Sequence, residues 1–164
     1  MKIIVFSDSH GEVDLMYAAA EDESPDMIIH LGDNVSDAER LRGVYPGAKL
    51  LAVAGNCDLA SIESATLELE LLGRRIFLTH GHTFGVKSSD GIIKLYEYAS
   101  RGGADIVLFG HTHVPYHRYR DGILFANPGH IGKNAGGGSP TYGILNVYDK
   151  EGLDWKIVEA YDLS

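Results

Sequence analysis

Residues 2–33 read KIIVFSDSHGEVDLMYAAAEDESPDMIIHLGD, and this stretch decides the fold class. It contains two short apolar runs, KIIVF and MIIHL, whose length and branched side chains are typical of buried strands. Between the two runs, apolar residues follow the i, i+3, i+4, i+7 spacing of a helix face: Val13, Met16, Tyr17 and Ala20. A strand, a helix and a second strand in this order predict a β–α–β unit with parallel strands.

Further apolar runs extend this pattern through the first two thirds of the chain. Residues 49–55 and 104–110 predict buried strands, residues 36–43 a short helix, and residues 88–100 a longer one. The face of the longer helix is expected to carry Ile92, Leu95, Tyr96 and Ala99. The first two thirds therefore predict an α/β protein with a parallel region.

Alternating and turn-forming residues predict antiparallel hairpins after the parallel region. Residues 65–73 alternate leucine with glutamate, which is typical of a half-exposed strand, and residues 74–80 supply its hairpin partner. Two more hairpins are expected to turn at Asp121-Gly122 and at Lys150–Gly152. The glycine-rich stretch at 132–140 predicts a flexible loop.

Composition excludes several classes of protein. The 164 residues carry a formal net charge of −9, which disfavours nucleic acid and anionic membranes as partners. The single cysteine excludes an internal disulfide and fits a reducing compartment. The N-terminal apolar run is too short for a signal peptide, and no run is long enough to span a membrane. We therefore expect one cytoplasmic domain, residues 1–164, and leave open whether it forms a homo-oligomer.

Five of the apolar runs end in residues that bind metals or transfer protons. The endings are Asp8-Ser9-His10, Gly32-Asp33, Gly55-Asn56-Cys57-Asp58, His80-Gly81-His82 and Gly110-His111-Thr112-His113. Because ligands bind beyond the carboxyl ends of strands in open α/β sheets, we expect the endings to converge on one place. They offer seven oxygen and nitrogen donors: Asp8, His10, Asp33, Asn56, His80, His111 and His113. This set is larger than one tetrahedral ion needs and suits two ions that share a carboxylate.

Each ending also has an ordinary explanation when it is taken alone. A single Asp-x-His or Gly-Asp is more often an exposed turn, and a His-x-His pair such as His111 and His113 is a ligand pair about as often as not. The agreement of all five endings outweighs these separate explanations. His30 and His117 lie within strand-like runs, and we interpret them as structural.

In this order the endings resemble the signature of the calcineurin-like metallophosphoesterase superfamily, which is D-x-H, G-D, G-N-H-[D/E], H and G-H-x-H. The corresponding blocks here are DSH, GD, GNCD, HGH and GHTH, and they span residues 8–113. The short chain and the NPG at 127–129 are similar to the small bacterial and archaeal phosphodiesterase branch. The resemblance implies an α/β fold of two packed mixed β-sheets flanked by helices, which is a four-layer sandwich.

The resemblance also implies a ligand set and a reaction. One divalent ion would be held by Asp8, His10 and His113, the other by Asn56, His80 and His111, with Asp33 bridging the two. Mn²⁺ is the expected ion, and Ni²⁺, Fe or Zn²⁺ are alternatives that the same donors accept. The expected function is a phosphodiesterase that cleaves a small phosphate ester by in-line attack of a hydroxide shared by the two ions. A phosphomonoesterase acting at the same site is an alternative.

Cys57 departs from the wider superfamily, in which a histidine at this position is thought to protonate the leaving oxygen. The small phosphodiesterase branch commonly carries cysteine there, so the departure is typical of a subgroup. We assign Asn56, Cys57 and His82 to the catalytic set and expect His82 beside the metal ligands. His130 follows NPG where that branch usually has serine, and the sequence does not indicate whether it faces the site.

Two functions from other classes are open. A non-catalytic scaffold of the same fold, like the retromer subunit that resembles this family, would be expected to lack ligands, whereas all seven are present. A thiol enzyme with Cys57 as nucleophile would need a basic, glycine-rich loop after the cysteine, but Asp58 and apolar residues follow it. Metal content, and sensitivity to EDTA or to thiol alkylation, separate these alternatives from a metal-dependent hydrolase.

Overall fold

The computed structural model describes residues 1–133, 135, 138–149 and 152–160, which form ten strands, three α-helices and one short 3-10 turn. The elements in chain order are β1 (Lys2–Phe6), α1 (Val13–Glu23), β2 (Met27–His30), α2 (Val35–Val44), β3 (Lys49–Ala52), β4 (Thr66–Leu71), β5 (Arg74–Thr79), the 3-10 turn (His82–Phe84), α3 (Ser89–Arg101), β6 (Ile106–Phe109), β7 (Tyr116–Arg120), β8 (Ile123–Asn127), β9 (Thr141–Val147) and β10 (Leu153–Glu159). Within the described ranges, no helix is long and apolar enough to cross a membrane.

The strands form two mixed sheets of five strands each. The first sheet has the order β10-β9-β1-β2-β3, in which β1, β2 and β3 are parallel and β9 and β10 are antiparallel additions. The second sheet has the order β4-β5-β6-β8-β7, in which β5, β6 and β8 are parallel and both edge strands are antiparallel. In each sheet the three parallel strands therefore have their carboxyl ends on the same side, where the loops that follow them can meet.

The two sheets pack face to face and helices cover their outer faces. Successive residues of a strand point to opposite faces, and β1 shows how this builds the layers. Ile3 and Val5 lie in the core between the sheets, whereas Ile4 and Phe6 lie in the core under α1 and α2. On the far side, Leu95 of α3 packs on the second sheet. The predicted four-layer α/β sandwich is confirmed.

The predicted hairpins β4–β5 and β7–β8 form around two-residue turns. Leu72-Gly73 (φ 50° and 76°) and Asp121-Gly122 (φ 48° and 81°) have positive φ at both positions, as type I′ turns require. Strands β9 and β10 also pair antiparallel. Lys150 and Glu151 of their predicted turn lie outside the described residues, as do positions 134, 136 and 137 of the predicted loop.

The predicted face of α1 is wrong at Tyr17. This side chain is 38% exposed, whereas Leu15 and Ala19 are buried. The helix buries a stripe wider than one i, i+3, i+4 row, because it contacts both the sheet and α2. Tyr17 therefore lies at the rim of that stripe, where its ring packs edge-on against Tyr45 with centroids 6.3 Å apart.

His30, the last residue of β2, is fully buried and hydrogen-bonded through both ring nitrogens. Its Nδ1 lies 3.2 Å from the N–H of Gly32, and its Nε2 lies 3.0 Å from the hydroxyl of Ser9. Burial lowers the pKa of His30 to about 4, although nearby carboxylates oppose the shift. Between the ordinary histidine pKa of 6.5 and this value, the unfolded chain binds a proton that the folded chain does not, so the free energy of unfolding falls as the pH falls.

We expect metal-free protein to lose about 3 kcal/mol of unfolding free energy at His30 between pH 7 and pH 4. The variant His30→Gln should be less stable at pH 7 but should lose less stability on acidification. The control His117→Gln changes an exposed residue of β7 and should keep the wild-type dependence. Urea unfolding at several pH values measures the difference, and parallel pH profiles for wild type and His30→Gln would contradict the prediction.

Candidate metal centre

The loops that follow the parallel strands of both sheets meet at one place. The N–H of His111, after β6, donates to Asp8 Oδ2, after β1, at 3.1 Å and so links the two sheets. The N–H of Cys57, after β3, donates to Asp33 Oδ1, after β2, at 2.9 Å. The Nδ1 of His80, after β5, lies 2.8 Å from the carbonyl oxygen of Leu31, which directly follows β2. The five strand endings therefore lie together.

Two groups of carboxylates and imidazoles occupy this junction. Within each group the possible ligand atoms all lie within 4.8 Å of one another. The first group is Asp8, His10 and His113, and the second group is Asp33, His80 and His111. The two groups adjoin, because His80 Nε2 lies 3.5 Å from Asp33 Oδ1 and 3.9 Å from Asp8 Oδ1.

The carboxylate of Asp8 provides a test of whether these residues fit a metal. Its Oδ2 accepts hydrogen bonds from Ser7 Oγ at 2.6 Å and from the N–H of His111. Its Oδ1 is buried and has no hydrogen-bond partner among the described residues, although His113 Nε2 lies 3.1 Å away. A buried carboxylate oxygen without a partner is costly, and a cation held with His113 would satisfy it. Since carboxylate and imidazole suit borderline divalent ions, the residues fit a metal.

Backbone strain is concentrated at the same residues. Five of the predicted ligands have positive φ without being glycine: Asp8 (54°), His10 (45°), Asp33 (58°), His111 (67°) and His113 (60°). Each such conformation costs about 1–3 kcal/mol and persists where the surrounding structure fixes it. The chain turns sharply after each strand and so directs these short polar side chains towards a common point.

The electrostatics of the second group favour the protonation state that binds metal at Asp33 and His111, but not at His80. Burial opposes ionisation of Asp33, but hydrogen bonds from His80 and from the N–H of Cys57 outweigh it and hold the pKa well below its usual range. Burial likewise opposes protonation of His80, yet Asp33 and Asp8 raise its pKa. Burial and the charge of His80 lower the pKa of His111 to about 4. Asp33 is therefore ionised and His111 neutral at pH 7, as metal binding requires.

Asn56, Cys57 and His82 border the second group. Asn56 and Cys57 are exposed, and Asn56 Nδ2 lies 3.5 Å from Cys57 Sγ. Burial and the carboxylate of Asp33 raise the pKa of the Cys57 thiol. The ring of His82 lies 5.5 Å from that of His80, and burial and His80 lower its pKa. Its Nδ1 is buried without a hydrogen-bond partner among the described residues.

His130 faces the first group. It is 2% exposed, and its ring centroid lies 5.7 Å from that of His113. Its Nδ1 lies 2.8 Å from the carbonyl oxygen of Gly132, which fixes the ring orientation. This answers the question that the sequence left open.

Asp58 holds two of the loops together, a role that sequence reasoning missed. Its carboxylate accepts four backbone N–H groups: those of Asp33 (2.9 Å), Asn34 (2.9 Å), Val35 (2.9 Å) and Gly55 (2.8 Å). Charge-assisted hydrogen bonds of this kind are about twice as strong as neutral ones. The signal that could have indicated this role is the acidic fourth residue of the GNCD block.

Asp37 plays the same part for the loop after β1. It is 2% exposed, and its Oδ2 accepts from Ser9 Oγ and from the N–H of Gly11, both at 2.7 Å. Ser9 in turn contacts His30. An acid on the buried side of α2 thus fixes the loop that carries Asp8 and His10.

Fold and site together define a class: an α/β protein of two packed sheets with a candidate carboxylate–histidine metal centre where the parallel strands of both sheets end. The model of the calcineurin-like phosphoesterase superfamily domain matches residues 1–150, and the chain belongs to this family. The predicted family, and with it the class of metal-dependent phosphoester hydrolases, is confirmed.

Relatives match over nearly the whole chain. YsnB, a probable metallophosphoesterase of Bacillus subtilis, is 35% identical over 165 residues, which cover 99% of this chain and 91% of the relative. The phosphodiesterase YfcE of Escherichia coli K12 is 28% identical over 173 residues, which cover 89% of this chain and 88% of the relative. A crystal structure of a predicted phosphoesterase from Streptococcus pneumoniae has a TM-score of 0.79 at 30% identity, and the match covers 99% of this chain and 93% of that one. The likeness therefore extends well beyond the five blocks.

Proposed function

We propose that the chain is a phosphodiesterase that uses two divalent ions, with Mn²⁺ the expected metal, to hydrolyse a small phosphate ester. The observation that carries the proposal is the pair of adjoining ligand groups, which meet at His80 between Asp8 and Asp33. We further propose that residues 1–164 form one domain that works in the cytoplasm. The single cysteine supports that location.

The ligand assignment takes the six residues of the two groups and adds Asn56, which borders the second group. Asp8, His10 and His113 would hold one ion, Asn56, His80 and His111 the other, and Asp33 would contact both. When bound, two divalent ions lower the pKa of a water molecule and neutralise charge on the phosphoryl oxygens. Hydrogen bonds hold these ligands in place before a metal binds. Asp58 accepts the N–H of Asp33, and Asp37 accepts the N–H of Gly11 in the loop that carries Asp8.

The residues on the open side would act on the ester. The amide of Asn56 offers an N–H donor to a phosphoryl oxygen, and the lowered pKa of His82 keeps its imidazole neutral and able to accept a proton. Cys57 stands beside them, and in the metal-free protein burial and the carboxylate of Asp33 raise the pKa of its thiol. A thiol is a weaker donor than imidazolium, so the set suits diesters with good leaving groups better than alkyl monoesters.

The proposal is tested with purified protein and two chromogenic esters. With Mn²⁺ added, it should hydrolyse bis-p-nitrophenyl phosphate faster than p-nitrophenyl phosphate, and should bind two ions per chain. EDTA should abolish the activity and Mn²⁺ should restore it. Two bound ions without turnover of either ester would favour the scaffold, and activity that survives EDTA but is lost on thiol alkylation would favour a Cys57 nucleophile.

Replacing Cys57 by histidine should raise kcat/KM for alkyl phosphomonoesters by about 10-fold or more, because imidazolium can protonate a poor leaving oxygen. The activity towards p-nitrophenyl esters should change less, since their leaving group needs little protonation. Cys57→Ser is the matched control and should not show the gain. The ratio of kcat/KM for the two ester types is the measurement, and an unchanged ratio would mean that Cys57 does not occupy the proton donor's place.

A further inference from the structure

A cleft of about 590 Å³ opens between α2 and the loop of residues 57–63, and we call it the α2 cleft. Cys57 and Asp58 are among the residues that line it. Because the N–H of Cys57 donates to Asp33 at 2.9 Å, the cleft begins directly beside the proposed metal centre. Its volume is that of a site for a small organic group.

The wall of the α2 cleft formed by the loop is apolar and highly exposed. Leu59 is 94% exposed and Ile62 is 100% exposed, and both line the cleft. Ala60, which is also exposed, adds apolar surface to the same wall. A single exposed leucine is ordinary, but two large apolar side chains along one cleft that adjoins a reaction centre indicate a surface that a ligand covers.

The charges of the α2 cleft are mostly negative. Among the described residues that line it, Arg42 is the one cation, and Glu39 holds it through both carboxylate oxygens at 2.6 Å. Glu63 adds a half-buried carboxylate. The carboxylate of Asp58 accepts hydrogen bonds from the backbone N–H groups of Asp33 and Gly55. A second phosphate would be repelled here, whereas a neutral or cationic group would be accommodated.

We propose that the α2 cleft binds the leaving alcohol of the phosphodiester substrate, and that this alcohol has an apolar body and a neutral or cationic end. This inference rests on the proposed function, because it assumes hydrolysis beside Asp33. Water supplies the hydroxyl that forms the new P–O bond, the bond to the leaving oxygen breaks, and that oxygen takes the remaining proton. The products are a phosphomonoester and the free alcohol, and no oxidant or reductant is needed.

Methyl aryl phosphodiesters test the inference, because only the leaving phenol varies between them. The phenol carries a para trimethylammonium, nitro or sulfonate group. We expect KM for the trimethylammonium and nitro esters to be lower than that for the sulfonate ester by about 10-fold or more. KM is the quantity compared, because the para groups also change the acidity of the leaving phenol and with it kcat. Glu63→Lys should reverse the order of the two charged esters. The control Glu97→Lys places the same change on exposed α3 and should leave the order unchanged.

The apolar wall is tested by replacing Leu59 and Ile62 together with serine. The double variant should lose about 10-fold or more in kcat/KM for the trimethylammonium ester. The control Ile93→Ser removes an apolar side chain that is 44% exposed on α3 and should have no effect. If the double variant instead converted an oligomer to a monomer with unchanged kcat/KM, the cleft would be an interface between copies of this chain, and the inference would be overturned.

A binding measurement without metal separates this inference from the proposed function. In metal-free protein, phenyltrimethylammonium should shift the backbone amide resonances of Leu59 and Ile62, whereas benzenesulfonate should not. If wild type hydrolysed none of the diesters but showed these shifts, the proposed function would fail. Equal KM for all three esters, with no shifts at residues 57–63, would overturn the inference and leave the phosphodiesterase intact.

Discussion

Replacing Asp33 by asparagine is expected to lower kcat/KM for bis-p-nitrophenyl phosphate by about 1,000-fold. Asp33 adjoins His80 at 3.5 Å and carries a carboxylate whose low pKa keeps it charged at every pH of interest. Asparagine has nearly the same shape but lacks the charge and offers only one good donor oxygen to a metal. If Asp33 is shared between two ions, this single change weakens both sites.

The loss should come from metal binding and not from unfolding. The amide oxygen of asparagine can still accept the N–H of Cys57, so the loops after β2 and β3 keep their contact. Metal analysis should show fewer than two ions per chain, while circular dichroism stays that of wild type. Asp90→Asn removes an exposed acid in the first turn of α3 and serves as the control. Two ions retained with less than a 10-fold loss in kcat/KM would exclude Asp33 as the bridge.

Local rules of sequence predicted the parts of the fold whose signals lie within a few residues. The hairpin at Asp121-Gly122 was predictable because a type I′ turn requires positive φ at both positions. The packing of two sheets against each other was not predictable from periodicity, and its prediction came from the family resemblance. Tyr17 escaped prediction because the width of a buried helix face depends on what packs against it.

In the candidate site, too, some features could be predicted from the sequence and others could not. Its ligand types stand out because each follows an apolar strand, and strand ends converge in α/β sheets. The residues that hold these ligands in place have no such signal in the sequence. The carboxylate of Asp58 accepts a hydrogen bond from the N–H of Asp33, which lies 25 residues earlier in the sequence, and no spacing rule connects the two positions. His130 was equally hidden, because it follows a glycine with φ of 83° in a loop without periodicity.

The close approach of the loops after β2 and β3 leads to the second large effect, at Gly55. A Cβ atom on Gly55 would lie 2.2 Å from Asp33 Oδ1 and 2.5 Å from the backbone nitrogen of Asp33. Neither loop can move aside freely, because Asp58 Oδ2 accepts the N–H groups of both Gly55 (2.8 Å) and Asp33 (2.9 Å). Gly55→Ala must therefore either displace the carboxylate of Asp33 or break the hydrogen bonds of Asp58.

We expect Gly55→Ala to lower the unfolding free energy by about 3 kcal/mol and kcat/KM by about 100-fold or more. Gly47→Ala is the matched control, because the nearest atom to its new Cβ, in Tyr45, is 3.9 Å away. Urea unfolding of the metal-free proteins separates this variant from Asp33→Asn, which should lose metal and activity with little loss of stability. A stable, fully active Gly55→Ala protein would mean that the two loops separate readily, and that Asp58 does not hold Asp33 in place for metal.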